Sequence, residues 1–267
     1  MNTNPSTYHS LSDYLFDVQA KGRFAITLEE IRKHIDASDK ALLQSLYRLK
    51  NKNQLAQIRK GFYVIIPPQY SGRRMIPASL FIDDMMKYLG KDYYVGLFSA
   101  AALHGAGHQQ PMEFQVMTKK PPLRDIENSK LVIRFFIKGN WDKEQITEIK
   151  TEAGYIHTST PELTTFDLVQ YGHKIGGLNR VIPILEELAE DIKPSLLVKA
   201  ARGQKTPTIQ RIGFLLRETG NKDLSNALYK IIEKENLREV SLSLAHTNRT
   251  GDVDKQWNVI INTELEL

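Results

Sequence analysis

Between Ser10 and Ile66 the apolar residues repeat first at helical and then at strand spacing, and this order constrains the fold most. Leu11, Tyr14, Leu15 and Val18 lie at i, i+3, i+4 and i+7 within Ser10 to Gln19, which predicts an amphipathic helix. A second helix is expected from Thr27, because Thr27-Leu28-Glu29-Glu30 is a capping box in which hydroxyl and carboxylate satisfy orphan N–H groups. It should bury Leu28, Ile31 and Ile35. After the turn Asp36-Ala37-Ser38, Ser38 can cap a third helix running to about Asn51. Leu55 to Ile58 and Phe62 to Ile66 then flank Arg59-Lys60-Gly61, a hairpin with a basic tip and a Gly where the turn needs positive φ. Two helices across a short turn, followed by a hairpin, predict a winged helix-turn-helix over residues 1–66.

The third helix has the side chains that DNA reading requires. A helical wheel places Leu42, Leu43, Leu46 and Leu49 on one side and Lys40, Gln44, Tyr47, Arg48 and Asn51 on the other. Arg can bond guanine bidentately, Gln or Asn can bond adenine, and Lys meets phosphate or guanine. A polar face alone is equally what a solvated helix shows; the basic hairpin behind it favours DNA. Arg59 and Lys60 are the expected wing contacts to phosphate or minor groove. The charge distribution agrees: Met1 to Pro77 holds 12 Lys/Arg against 6 Asp/Glu, and the remainder 24 against 25. A basic head on a neutral body is the electrostatic footprint of a protein that docks its N-terminus on nucleic acid.

At 267 residues the chain can form a small and a larger domain. Pro67-Pro68-Gln69-Tyr70-Ser71-Gly72-Arg73-Arg74 interrupts regular structure, so the expected boundaries are a head at 1–66, a linker at 67–77 and a body at 78–267. No apolar stretch approaches the ~20 residues of a membrane span, and Met1 to His9 lacks the apolar core of a signal peptide. The absence of Cys excludes disulfides, thiol catalysis and Cys-based zinc sites. A cytoplasmic protein without membrane partners is expected.

The body predicts helices at Ser79–Leu89, Val95–Leu103, Pro161–Tyr171, Leu178–Leu188, Pro194–Ala201, Pro207–Thr219 and Leu224–Glu233. Strands are expected at Phe114–Thr118, Leu131–Ile137, Tyr155–Thr158, Val240–Leu244 and Trp257–Asn262. Thr160-Pro161-Glu162 is a strong helix start and Gly220 a helix stop. The expected class is α+β (mixed α/β), a winged helix-turn-helix followed by a larger, helix-rich α/β domain.

Catalytic patterns are weak. His104-Gly105-Ala106-Gly107-His108 has the HxxxH spacing of a helical zinc site, but its two Gly argue for a tight loop. Glu148-Ile149-Lys150 matches half of a metal-dependent nuclease pattern, yet Thr147 and Thr151 give it no apolar strand context, and Asp125 or Asp142 would be arbitrary partners. There is no nucleophile elbow, and Gly176-Gly177 lacks the rest of a phosphate loop. No catalytic residue, metal or cofactor is assigned, and no enzyme is expected. Lys119, Lys120 and Arg124, and Lys199, Arg202 and Lys205, form two basic groups that are either ordinary surface or a secondary nucleic-acid contact.

The run Arg59-Lys60-Gly61-Phe62-Tyr63-Val64-Ile65-Ile66-Pro67-Pro68-Gln69-Tyr70 is followed by a longer one from Tyr93-Tyr94-Val95-Gly96-Leu97-Phe98-Ser99 through His104-Gly105-Ala106-Gly107-His108 to Pro111. Then come Ser159-Thr160-Pro161-Glu162-Leu163-Thr164-Thr165-Phe166-Asp167-Leu168-Val169, Gly176-Gly177-Leu178, Gln210-Arg211-Ile212-Gly213 and Trp257-Asn258-Val259-Ile260-Ile261-Asn262. In this order the chain resembles the AbiEi antitoxins of bacterial type IV toxin–antitoxin systems, from about Leu11 to Leu267. The resemblance implies a winged helix that binds inverted repeats in double-stranded operator DNA and represses its own operon. It also implies a C-terminal domain that counteracts a nucleotidyltransferase-like toxin without a stable complex, in abortive phage infection. Two alternatives are a ligand-responsive regulator without an antitoxin role and a nucleic-acid-modifying enzyme.

Overall fold

The computed structural model describes Tyr8 and residues 10–107, 111–245 and 249–266. The chain runs α1 (Leu11–Ala20), β1 (Ala25–Thr27), α2 (Leu28–His34), α3 (Asp39–Asn51), β2 (Leu55–Arg59), β3 (Phe62–Ile65), α4 (Ile82–Tyr88), β4 (Tyr93–Val95) and α5 (Leu97–Leu103). It continues β5 (Phe114–Thr118), β6 (Ile126–Asn128), β7 (Leu131–Ile137), β8 (Ile146–Thr151), β9 (Gly154–Ser159), α6 (Pro161–Tyr171) and α7 (Leu178–Asp191). It ends α8 (Pro194–Ala201), α9 (Thr206–Glu218), α10 (Lys222–Ile232), β10 (Val240–Ser241), β11 (Asp252–Asp254) and β12 (Val259–Ile261). The class is mixed α+β. The sheets have the strand orders β1-β3-β2, β10-β12-β11 and β6-β7-β5-β4-β9-β8.

Contacts divide the chain into two compact units. One holds Met1–Tyr93, Thr118–Ile137 and Glu148–His157; the other holds Tyr94–Met117, Lys138–Thr147 and Thr158–Leu267. In the first, α1 begins at Ser10, whose hydroxyl accepts from Asp13 N at 3.2 Å. The capping box at α2 forms as expected: Glu30 N donates to Thr27 Oγ1 at 3.1 Å and Thr27 N to Glu30 Oε2 at 2.7 Å. Ser38 caps α3 through Ala41 N at 3.3 Å. β3 pairs antiparallel with both neighbours, Val64 opposite Ala25 and Ala56. Leu11, Leu15, Ile31, Leu42, Leu46 and Leu55 meet in one core, each buried aliphatic side chain contributing roughly 1.5–3 kcal/mol of transfer free energy.

Three expectations about this core are corrected. Leu43 is 53% exposed, because it lies about 100° round the helix from Leu42 and the packed stripe is Leu42, Leu46 and the partly buried Leu49. Leu28 and Ile35 are only partly buried, leaving Ile31 as the fully buried contact of α2. Within residues 67–77, expected as linker, Pro68–Tyr70 forms a 3-10 turn and Met75 and Ile76 are buried.

In the second unit, β4 pairs parallel with β9 through Val95 and Thr158. Helix α6 is buried on nearly its whole circumference, and α5, α7, α8 and α9 all pack against it. Its buried residues include the polar Glu162, Thr164, Thr165 and Asp167 as well as Leu163, Phe166, Leu168 and Val169, and buried polar side chains of this kind need hydrogen-bond partners. Its start is the one expected, with Leu163 N donating to Thr160 Oγ1 at 3.3 Å. Gly220, at φ +82°, follows the last turn of α9.

The region expected as helix Val95–Leu103 divides into strand β4 and helix α5, because the chain turns at Gly96 and a short apolar run carries no unambiguous period. The helix expected at Ser79–Leu89 is a 3-10 turn followed by α4. Glu148-Ile149-Lys150 does lie on a strand, β8; this last strand in its sheet order presents charged residues to solvent, a usual protection of an exposed sheet edge. The expected strands Val240–Leu244 and Trp257–Asn262 shorten to β10 and β12.

Candidate nucleic-acid interface

On α3 the structure leaves Lys40, Gln44, Tyr47, Arg48 and Asn51 exposed together while Leu42 and Leu46 face the core. These five fall at i, i+4, i+7, i+8 and i+11, so they share one side of the helix. Tyr47, at 63% exposure, is a large ring held out in water. Among the described residues Arg48 makes a long contact from Nε to the Gln44 carbonyl at 3.5 Å, so its guanidinium can turn toward a ligand. Lys50 instead reaches back to Gln57 Oε1 on β2 at 3.3 Å.

The tip of the β2–β3 hairpin is fixed in place. Gly61 has φ +75°, the positive value expected, and a Cβ there would lie 2.8 Å from the Tyr88 hydroxyl. That hydroxyl donates to the Lys60 carbonyl at 3.0 Å. The pairing of β2 with β3 shifts register between Gln57 and Arg59, and bulges of this kind re-aim side chains. Arg59 points at the body-derived part of its own unit: Nη2 donates to the Arg124 carbonyl, and the guanidinium lies 5.7 Å from the Phe135 ring centre. Burial, then the Arg124 charge, holds the Arg59 pKa below its ordinary value, opposed by Asp125. Lys60 is exposed. Of the two expected wing contacts, Lys60 is the one free to reach outward, and Arg59 is a positioning residue.

The other patterns from the sequence fall as follows. His104 Nε2 bonds the Ser159 carbonyl at 2.6 Å, while His108 lies outside the described residues. Asp125 accepts from Phe135 N and pairs with Arg134, and Asp142 caps a 3-10 turn at Lys143–Gln145. Lys119 pairs with Asp92 at 2.8 Å and Lys199 with Glu144 at 2.6 Å, whereas Arg124, Arg202 and Lys205 are exposed.

The second unit contains two arrangements not anticipated from the sequence. Asp167, fully buried on α6, accepts from Lys138 Nζ and from the Tyr94 hydroxyl at 2.7 Å. Burial pushes the Asp167 carboxyl up, against the opposing pull of Lys138 and the two hydrogen bonds. An Asp in the middle of a helix, between Phe166 and Leu168, is the visible signal. The other arrangement is the turn from β4 into α5, where the buried Leu97 adopts φ +56°, a conformation costing a non-glycine residue about 1–2 kcal/mol. Gln115 holds the turn: its Oε1 accepts from Phe98 N at 2.9 Å, its carbonyl accepts from Gly96 N at 3.1 Å, and its N–H donates to Ser99 Oγ at 2.9 Å.

This turn, His104 and the Asp167 cluster lie within residues 94–218, which match the family described as AbiEi antitoxin C-terminal domain. That stretch of the chain is therefore similar to an AbiEi antitoxin C-terminal domain. No curated protein matches the chain. Among solved structures it is similar to the RV2827C protein from Mycobacterium tuberculosis, with TM-score 0.67 and 14% identity over 93% of this chain and 90% of that chain. That similarity is one of fold. A likeness to an antigenic nucleotidyltransferase-like protein from Paracoccidioides brasiliensis has TM-score 0.33 and 10% identity over 58% of this chain and 85% of that chain, too low for a shared fold. Among the described residues no helix is long and apolar enough to cross a membrane.

Proposed function

We propose that this protein is an antitoxin that binds double-stranded operator DNA through its N-terminal head, represses its own operon and counteracts a nucleotidyltransferase-like toxin. The exposed polar face of α3 carries the DNA reading, opposite a helix side anchored by Leu42 and Leu46. The order α1, β1, α2, α3, β2, β3 with sheet order β1-β3-β2 supports a winged helix-turn-helix. Gln44 and Arg48 stand one helical turn apart, so both can enter one major groove and read base edges. The similarity of residues 94–218 to an AbiEi antitoxin C-terminal domain supports the antitoxin role. In a type IV arrangement the protection comes without a stable complex.

The test begins with the neighbouring reading frame: if it encodes a nucleotidyltransferase, the two are co-expressed, and growth rescue and co-purification are read in the same cells; a neighbour of any other kind would count against the antitoxin role. Rescue without a recovered complex is expected. Failure to rescue would overturn the antitoxin role, and a stoichiometric complex would overturn the type IV arrangement.

A further inference from the structure

Arg59 Nη2 donates to the Arg124 carbonyl, which brings the backbone of Arg124 to the wing tip, and the Arg124 charge acts on Arg59. Asp125, the carboxylate acting on Arg59, does not neutralise the two charges on its own: its Oδ1 accepts from Phe135 N at 2.9 Å and its Oδ2 lies 3.3 Å from Arg134 Nη1. Arg124 is exposed, and Lys60, next along the chain from Arg59, is exposed as well. Tyr88 and Gly61 fix the backbone beneath Lys60, so the group is presented on a set turn. Cations assembled this way lower the cost of bringing in an anion and raise its local concentration.

We propose that Arg124, whose backbone Arg59 holds at the wing tip, joins the exposed Lys60 in a second seat for the phosphate backbone of duplex DNA, apart from α3. This rests on the DNA-binding reading above and adds to it a contact 65 positions along the chain from Arg59, outside the predicted head. Arg59 is the positioning residue, since its guanidinium is turned to the Arg124 carbonyl and the Phe135 ring. Such a seat supplies affinity and register and carries no base preference.

The test uses the full chain, a duplex from the region upstream of its own gene, a shuffled duplex and a single-stranded RNA of equal length. Dissociation constants are measured at several KCl concentrations for wild type, Arg124→Gln, Arg124→Lys and Lys60→Gln. Each neutralised phosphate contributes about 0.9 to the slope of log affinity against log salt. Arg124→Gln and Lys60→Gln should each lower the slope by about that amount on both duplexes, and Arg124→Lys should restore it. An unchanged slope in Arg124→Gln, while wild type still prefers the upstream duplex, overturns this seat and leaves the DNA-binding reading standing. Wild type binding neither duplex overturns both. An Arg124-dependent slope on the RNA alone overturns the duplex as the occupant.

Discussion

The indole of Trp257 lies where a side chain at Gly213 would have to be: a Cβ on Gly213 would sit 2.0 Å from the ring. Two segments far apart in sequence, Gln210-Arg211-Ile212-Gly213 on α9 and Trp257-Asn258, meet there. Gln210 Nε2 donates to the Trp257 carbonyl at 2.7 Å and to the Arg238 carbonyl at 3.0 Å. The Trp257 ring is fully buried and makes an edge contact with Tyr229 at 5.4 Å. Overpacking a close-packed site costs typically about 1–3 kcal/mol, and Gly213→Ala should reach or exceed the upper end, because the whole ring must move. Trp257→Phe makes room, so the double variant should lose less stability than the two single losses added. Denaturant titration of all three checks this; strictly additive losses would mean the contact is not the cause.

The buried Lys138–Asp167 pair makes a separate stability prediction. Removing one member of such a pair costs about 3–5 kcal/mol because a charge is left without its partner. Lys138→Met should therefore destabilise strongly, leaving Asp167 with the Tyr94 hydroxyl alone. Asp167→Asn combined with Lys138→Met should recover part of the loss. If the double variant is less stable than Lys138→Met, the uncompensated carboxylate is not responsible.

Glu30 provides a pH signature. Burial raises its pKa, but the Thr27 N–H and Arg23 outweigh that and hold it below the ordinary carboxylate value. A depressed folded pKa contributes stability that is present above the unfolded value and lost as pH falls through the folded value. Glu30→Gln can keep the cap while removing the titrating group. Denaturation at pH 7 and pH 3 should show wild type losing more stability than Glu30→Gln over that interval; equal losses would contradict the assignment.

The head was legible because its signals are local. A capping box, an N-cap at Ser38 and a Gly at a hairpin tip each act within a few residues, and all three appear where expected. Thr160-Pro161 and Gly220 mark the ends of α6 and α9 for the same reason. Contacts across long separations were not legible. The sequence directs the Arg59 side chain to DNA, but its partner Arg124 lies in the loop before β6, which no periodicity could pair with the β2–β3 hairpin. Likewise Leu43 looked like a core residue, since a helical wheel cannot show where the packed stripe ends. Residues 67–77 read as a linker by composition, while Ile76 is buried, which composition does not reveal. Point substitutions therefore test the head more cleanly than truncation near Ile76: the first unit also takes in Thr118–Ile137 and Glu148–His157, which a truncated chain would leave without their packing.

The central claim, that α3 reads DNA sequence, is tested most directly by one titration. Wild type and Arg48→Ala are each bound to the duplex upstream of the gene and to a shuffled duplex at fixed salt. A base-reading Arg is worth about 1–3 kcal/mol of discrimination. Arg48→Ala should lose that much on the upstream duplex and almost nothing on the shuffled one. Equal loss on both would reduce Arg48 to a phosphate contact, and wild-type binding that does not distinguish the two duplexes would contradict sequence reading by α3.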